Sequence, residues 1–175
     1  MNDDVGIWKK FAKIGLIGLT PLLLTFIFYQ ASPRSTLFND FLELTKNISA
    51  NISSTNLALT KPLGMYCKLA PLFSIYFAIR YLRNVKSNPK TDNKASLVFY
   101  SCGFVAVYAM MFYIFVISSF DISKGNRLLQ ITATNETLIL IYYLIVFIGL
   151  YALSFIIIML VNLLYKELGK SGAIK

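Results

Sequence analysis

The chain has 175 residues, of which 57% are hydrophobic and 14% charged, and its 17 Lys and Arg against 8 Asp and Glu give a formal net charge of +9. A mean hydropathy of +0.63 lies far from a soluble domain, where about a quarter of residues are charged, and the cations gather at the ends of apolar runs, so no nucleic-acid partner is expected. Histidine, the commonest metal ligand and general base, is absent, and Cys67 and Cys102 stand apart inside apolar runs, so neither a metal, a cofactor nor a disulfide framework is expected.

In chain order, a short polar start carries Asp3, Asp4, Lys9 and Lys10. The apolar run 11–30 is expected to be a first transmembrane helix, because about 20 apolar residues rise roughly 30 Å, enough to cross the hydrocarbon core. It is read as uncleaved, since Tyr29-Gln30-Ala31 lacks the small-x-small pattern of a signal-peptide site. Lys13 lies near one end, where its stem can snorkel. Pro21 at the centre predicts a kinked helix packed against neighbours that re-satisfy its backbone.

Residues 31–62 turn polar and are expected to form a long outside loop. Within it, Phe38, Phe41, Leu42 and Leu44 predict a short amphipathic helix on the membrane surface. Asn47-Ile-Ser49, Asn51-Ile-Ser53 and, further on, Asn135-Glu-Thr137 match the glycosylation sequon, a pattern short enough to arise by chance in polar loops.

A second span is expected over 63–83, carrying Lys68 with Tyr66, Cys67 and Pro71 beside it. A charge inside a span is costly and by default marks a functional position. Lys68 also has a plainer reading, since it lies about two turns from the outer end and its ammonium can snorkel to the headgroups. Pro71 predicts a helix that bends or begins afresh in mid-membrane. The segment 84–94 that follows holds Lys86, Lys90 and Lys94, next to Arg80 and Arg83. Short basic loops stay in the cytoplasm, so this one orients the spans on either side of it.

The third span, expected over 95–119, is dense in aromatics. Its Gly103, Ala106 and Ala109 recur at spacing three and predict a close-packing seam inside the molecule, with a homodimer face as the alternative. Residues 120–136 form a second outside loop, and a fourth span runs over 137–164, followed by a tail with Lys166, Lys170 and Lys175. Eleven of the 17 Lys and Arg fall in the amino terminus, central loop and tail, against five in the outside segments, which puts both termini in the cytoplasm. The expected fold is an all-α integral membrane protein, a single domain of four transmembrane helices with both termini cytoplasmic.

No P-loop, dinucleotide fingerprint, HExxH or GxSxG motif occurs, so an enzyme is not expected. Every Asp and Glu lies in a loop or tail, whereas proton-coupled transporters usually keep an acidic residue or histidine in the membrane. What remains is a membrane protein that binds something, with a small four-span transporter or channel subunit as the alternative.

Four stretches in the same order carry a resemblance: Thr20-Pro21-Leu22-Leu23, Tyr66-Cys67-Lys68-Leu69-Ala70-Pro71, Ser101-Cys102, and Ala133-Thr134-Asn135-Glu136-Thr137-Leu138. With the length and four-span layout, the chain resembles the immunity proteins of pore-forming colicins of the colicin A type. The resemblance implies a bacterial inner-membrane protein that protects a colicin-producing cell from its own kind of toxin. It implies as partners the membrane lipids and the pore-forming domain of the cognate colicin, engaged through its hydrophobic helical hairpin so that the channel does not open. The toxin-recognition candidates are Tyr66, Lys68 and Pro71, with Asn135, Glu136 and Thr137 at the facing outer end of the fourth span. Lys68 and Glu136 are expected to pair with each other or to meet polar groups of the toxin. Asn135 has a second reading as the cap of the last helix.

Overall fold

The computed structural model describes residues 2–81 and 94–172, so the expected basic loop with Lys86 and Lys90 lies outside the described residues. The first helix, α1 (Asn2–Ala31), continues through Pro21. Proline offers no N–H, and hydroxyls take up backbone acceptors on either side: Thr20 donates to the Leu16 carbonyl at 3.3 Å and Thr25 to that of Pro21 at 2.8 Å. A tight turn then leads into α2 (Thr36–Leu44), capped by Ser35. Phe38 folds this helix back onto the end of α1, its ring 5.8 Å from Phe28 and 5.5 Å from Tyr29.

The second apolar stretch is two helices. The first, α3 (Leu57–Cys67), starts six residues ahead of the expected span, and α4 (Ala70–Tyr81) carries Pro71 in its first turn. Pro71 has no N–H to give the carbonyl of Cys67, so the α-helical ladder cannot run through. The chain closes the break with shorter i to i−3 bonds, Lys68 N–H to Met65, Leu69 N–H to Tyr66 and Leu72 N–H to Leu69. Of the two forms expected at Pro71, the chain takes the fresh start.

Next, α5 (Lys94–Phe112) ends in one π turn over Tyr113–Ile117, where the Ser118 N–H reaches back five residues to Tyr113. A 3-10 turn at Ile122–Lys124 precedes α6 (Arg127–Thr134) and the long α7 (Glu136–Gly172). Among the described residues, four stretches are long and apolar enough to cross a membrane: Gly6–Ala31, Leu57–Tyr81, Val98–Ile117 and Glu136–Tyr165. The architecture of the described residues is all-helical, as expected.

The packed group is α1, α3, α4 and α7, with the most extensive interface between α4 and α7. Leu22, Leu59, Leu63, Ile139, Tyr143 and Phe147 are fully buried at its centre. Phe11 stacks on Tyr151 with ring centroids 4.5 Å apart, and Tyr66 stacks on Phe147 at 5.7 Å. Gly18 makes room for that second stack, since a methyl group there would press on the Phe147 ring. Outward, Ile17, Leu24, Ile79, Met110, Ile145 and Val161 leave large apolar side chains uncovered. An exposed apolar girdle of this extent is penalised by water and accepted by lipid tails.

Helices that stand in lipid gain no hydrophobic drive toward one another and depend on packing and hydrogen bonds to hold them together. Hydroxyls do this from the side. Tyr66 donates to the Gly18 carbonyl at 2.9 Å, Tyr151 to that of Phe11 at 3.0 Å, and Ser74 to that of Tyr151. These three bonds tie α3 to α1, α7 to α1 and α4 to α7.

The expected internal seam on α5 is not formed. Space beside Gly103 is open, and Ala106 and Ala109 are exposed. The face that meets α7 is instead the row through Ser101, Phe104, Tyr108 and Met111, with the Tyr108 hydroxyl 2.9 Å from that of Ser154. Aromatic bulk and one polar bridge hold this contact, which leaves the small residues on the far side.

Candidate functional site

At the helix break, Lys68 is the residue that closes α3. Its ammonium turns to the end of α5, donating to the Val116 carbonyl and, at 3.0 Å, to the Ser49 hydroxyl. The last carbonyls of a helix have no partner of their own and carry the negative end of its dipole, so a cation there is well placed. Side chains from the loop complete the cap. Ser49 donates to Ile117 at 3.3 Å, and Asn51 donates to Ile114 at 3.4 Å. Lys61, about two turns earlier in the chain, likewise donates to a backbone acceptor, the Ile48 carbonyl of the loop. Tyr66 is fixed by its bond to Gly18 and its stack on Phe147, and Pro71 is buried.

The second set of candidates sits at the start of α7. Asn135 caps this helix, its side-chain oxygen accepting from the N–H groups of Thr137 at 3.0 Å and Leu138 at 3.2 Å. Glu136 occupies the first position, where the positive end of the helix dipole favours a carboxylate, and accepts from Gln30 at 2.6 Å. The expected pairing of Lys68 with Glu136 is therefore not formed. Each has a nearer partner, Lys68 at the end of α5 and Glu136 at the end of α1. Thr137 is exposed.

What joins the two sets is the loop between α2 and α3, which sequence reasoning placed outside. Ala50, Asn51 and Ser53 are buried. The Tyr143 hydroxyl donates to the Asn51 carbonyl at 2.6 Å, and the Asn51 side chain accepts from the Phe120 N–H at 3.1 Å. Ile52 and Asp121 form an isolated parallel bridge. The Ser53 hydroxyl lies 2.8 Å from that of Ser123, and Thr55 donates to the Ala133 carbonyl at 2.8 Å. Gly64 admits the loop, because a methyl group there would collide with the Asn51 carbonyl oxygen. The loop is a plug wedged among α3, α7 and the segment after α5. Asn51, Ser53, Asp121 and Tyr143 are the residues that hold it, a role that no sequence motif assigns to any of them, Asn51 and Ser53 standing out there only as part of a sequon.

Asp121 is the acidic member of this cluster. Burial pushes its carboxyl upward, but the bonds it accepts from the N–H groups of Ser54 at 3.2 Å and Ser123 at 3.0 Å outweigh that and leave it below the ordinary carboxylate value. Lys124 adds an ion pair at 3.9 Å from a largely exposed side chain, worth little in water.

The family model described as colicin immunity protein matches residues 34–171. The chain belongs to the colicin immunity protein family. The match begins just beyond α1 and takes in all six candidate residues and the whole plug. A relative described as the colicin-A immunity protein of Citrobacter freundii is 33% identical over 141 residues, which cover 80% of this chain and 76% of its own. No solved structure matches. The colicin A type resemblance is thus supported, and the chain is an immunity protein. Its task is to keep a colicin from killing the cell that makes it.

Proposed function

We propose that this immunity protein stands in the bacterial inner membrane, with both termini and the central basic loop in the cytoplasm. There it binds the pore-forming domain of its cognate colicin and holds that domain closed. The observation that carries this reading is the uncovered apolar girdle on a member of the colicin immunity family. The open face of α5 supports contact with the toxin's hydrophobic hairpin inside the bilayer, since small residues let two helices approach closely. Lys68, Asn135, Glu136 and Thr137 lie at or near the plugged end and form the surface a toxin arriving from the periplasm meets first, with Tyr66 and the buried Pro71 supporting it from behind.

The protein acts by binding, without catalysis. A partner that favours the closed state over the open one by about 2.7 kcal/mol raises the closed population roughly a hundredfold. A few small-residue and polar contacts are enough for that.

Two experiments test the reading. The chain is expressed in a colicin-sensitive strain, which is then challenged with a panel of pore-forming colicins. Survival against one colicin and death with the others is expected, and equal killing with and without the chain would defeat the proposal. Protease treatment of intact spheroplasts should leave a tag on the carboxyl terminus uncut, and cleavage there would reverse the proposed orientation.

A further inference from the structure

We propose that the groove between α1 and α4 binds one anionic phospholipid, with the headgroup on Lys10, Lys13 and Arg80 and an acyl chain along the apolar floor. The inference rests on the reading that these helices stand in a bacterial membrane.

The groove has a volume of about 630 Å³, inside the range of roughly 300–1,000 Å³ for pockets that hold discrete small ligands. Its two walls run antiparallel, so Lys10 near the start of α1 meets Tyr81 at the end of α4, the ammonium 5.0 Å from the ring centroid. Arg80 lies beside the same ring at 6.0 Å, and its guanidinium is 3.4 Å from the Tyr76 hydroxyl. Cations and phenols therefore collect at one end. From there Ile14 and Ile17 on one wall face Leu69, Leu72 and Phe73 on the other. The seven steps from Lys10 to Ile17 climb about 10 Å, so the groove changes from polar to apolar over the depth at which a phospholipid does the same.

Charge supplies the second argument. Among the described side chains the carboxylates are Asp40, Glu43, Asp121 and Glu136. Glu136 bonds Gln30 at the far end of α1, about 30 Å along the helix from Lys10, and Asp40 and Glu43 lie on α2 beyond that end. Asp121 belongs to the plug. No described carboxylate neutralises the three cations of the groove. Basic pockets between membrane helices attract anionic headgroups, and Lys13, one turn deeper than Lys10, can lay its stem on the apolar wall while its ammonium returns to the interface. A free phosphate would use the cations and leave the floor empty, whereas a phospholipid uses both.

The full chain, purified in a neutral detergent, is titrated with phosphatidylglycerol and with phosphatidylcholine of the same acyl chains, and bound lipid is counted by native mass spectrometry. Wild type should prefer phosphatidylglycerol. The pair Lys13→Gln and Arg80→Gln should weaken that preference by on the order of tenfold, while Lys13→Arg with Arg80→Lys keeps it. Lys46→Gln with Lys124→Gln removes the same charge at the opposite end and should change nothing. Equal affinity of wild type for the two lipids, or an equal loss in both Gln pairs, overturns the proposal. Failure of the underlying membrane reading shows earlier and separately, as chain recovered in the soluble fraction of lysed cells.

Discussion

Tyr143, buried in the middle of the bundle, donates its phenolic proton to the backbone carbonyl of Asn51 at 2.6 Å. A helix side chain thus reaches out to hold a segment that carries no regular structure of its own. The carbonyl it serves is buried, and a buried acceptor left without a partner costs more than an average hydrogen bond contributes.

Tyr143→Phe keeps the ring and removes only that donor. It should lower stability by about 1–3 kcal/mol, read as a lower Tm of the detergent-solubilised protein. An unchanged Tm would mean that the plug is held without this bond.

Gly64→Ala drives a methyl group into the Asn51 backbone, which has no flexible end to move aside. Overpacking of this kind costs about 1–3 kcal/mol. Gly103→Ala meets open space and should leave stability within about 0.5 kcal/mol of wild type. Similar losses in the two variants would show that helix geometry, not the close approach of the loop, governs Gly64.

Lys68→Met withdraws the donor from Val116 and from Ser49. It is expected to weaken toxin binding by roughly tenfold, equivalent to about 1.4 kcal/mol, and to lower the colicin dose that cells survive. Lys68→Arg should restore most of the protection. A Lys68→Met protein that reaches the membrane fraction at wild-type levels and protects fully removes this residue from recognition.

Asp121 makes the plug sensitive to acid. Its folded-state value lies below the ordinary one, so its contribution is fully present above the unfolded carboxylate value of about 4 and is lost as pH falls through the folded value. Thermal stability should drop below about pH 4 in wild type. In Asp121→Asn the drop should be smaller, from a lower starting Tm. Parallel pH profiles for the two proteins would assign the acid sensitivity elsewhere.

The four apolar stretches were legible because the length a bilayer demands is a local property of sequence. Some 20 consecutive apolar residues declare themselves without reference to the rest of the chain. The break at Lys68 was legible from Pro71, and the start of α7 from Asn135, for the same reason: a missing N–H and a capping oxygen act within a few residues. The burial of Asn51 and Ser53 was not, since their partners Ile114, Ala133 and Tyr143 lie more than 60 residues on. A tract of Asn and Ser reads as solvated until those partners are known. The Gly103, Ala106 and Ala109 face shows the limit from the other side. Small-residue spacing says where a helix can be approached, but not whether anything in the same chain does so.

The plug also decides where a foreign sequence can be spliced in. Pro33 and Arg34 sit in an exposed turn between α1 and α2, and an epitope inserted there would loop away without disturbing a buried bond. The same epitope between Asn51 and Ser53 would have to push out Ile52 and pull the Tyr143, Phe120 and Thr60 partners apart. Two stretches that look equally hydrophilic on paper would therefore differ sharply as attachment points, and reporters of surface accessibility belong at the first.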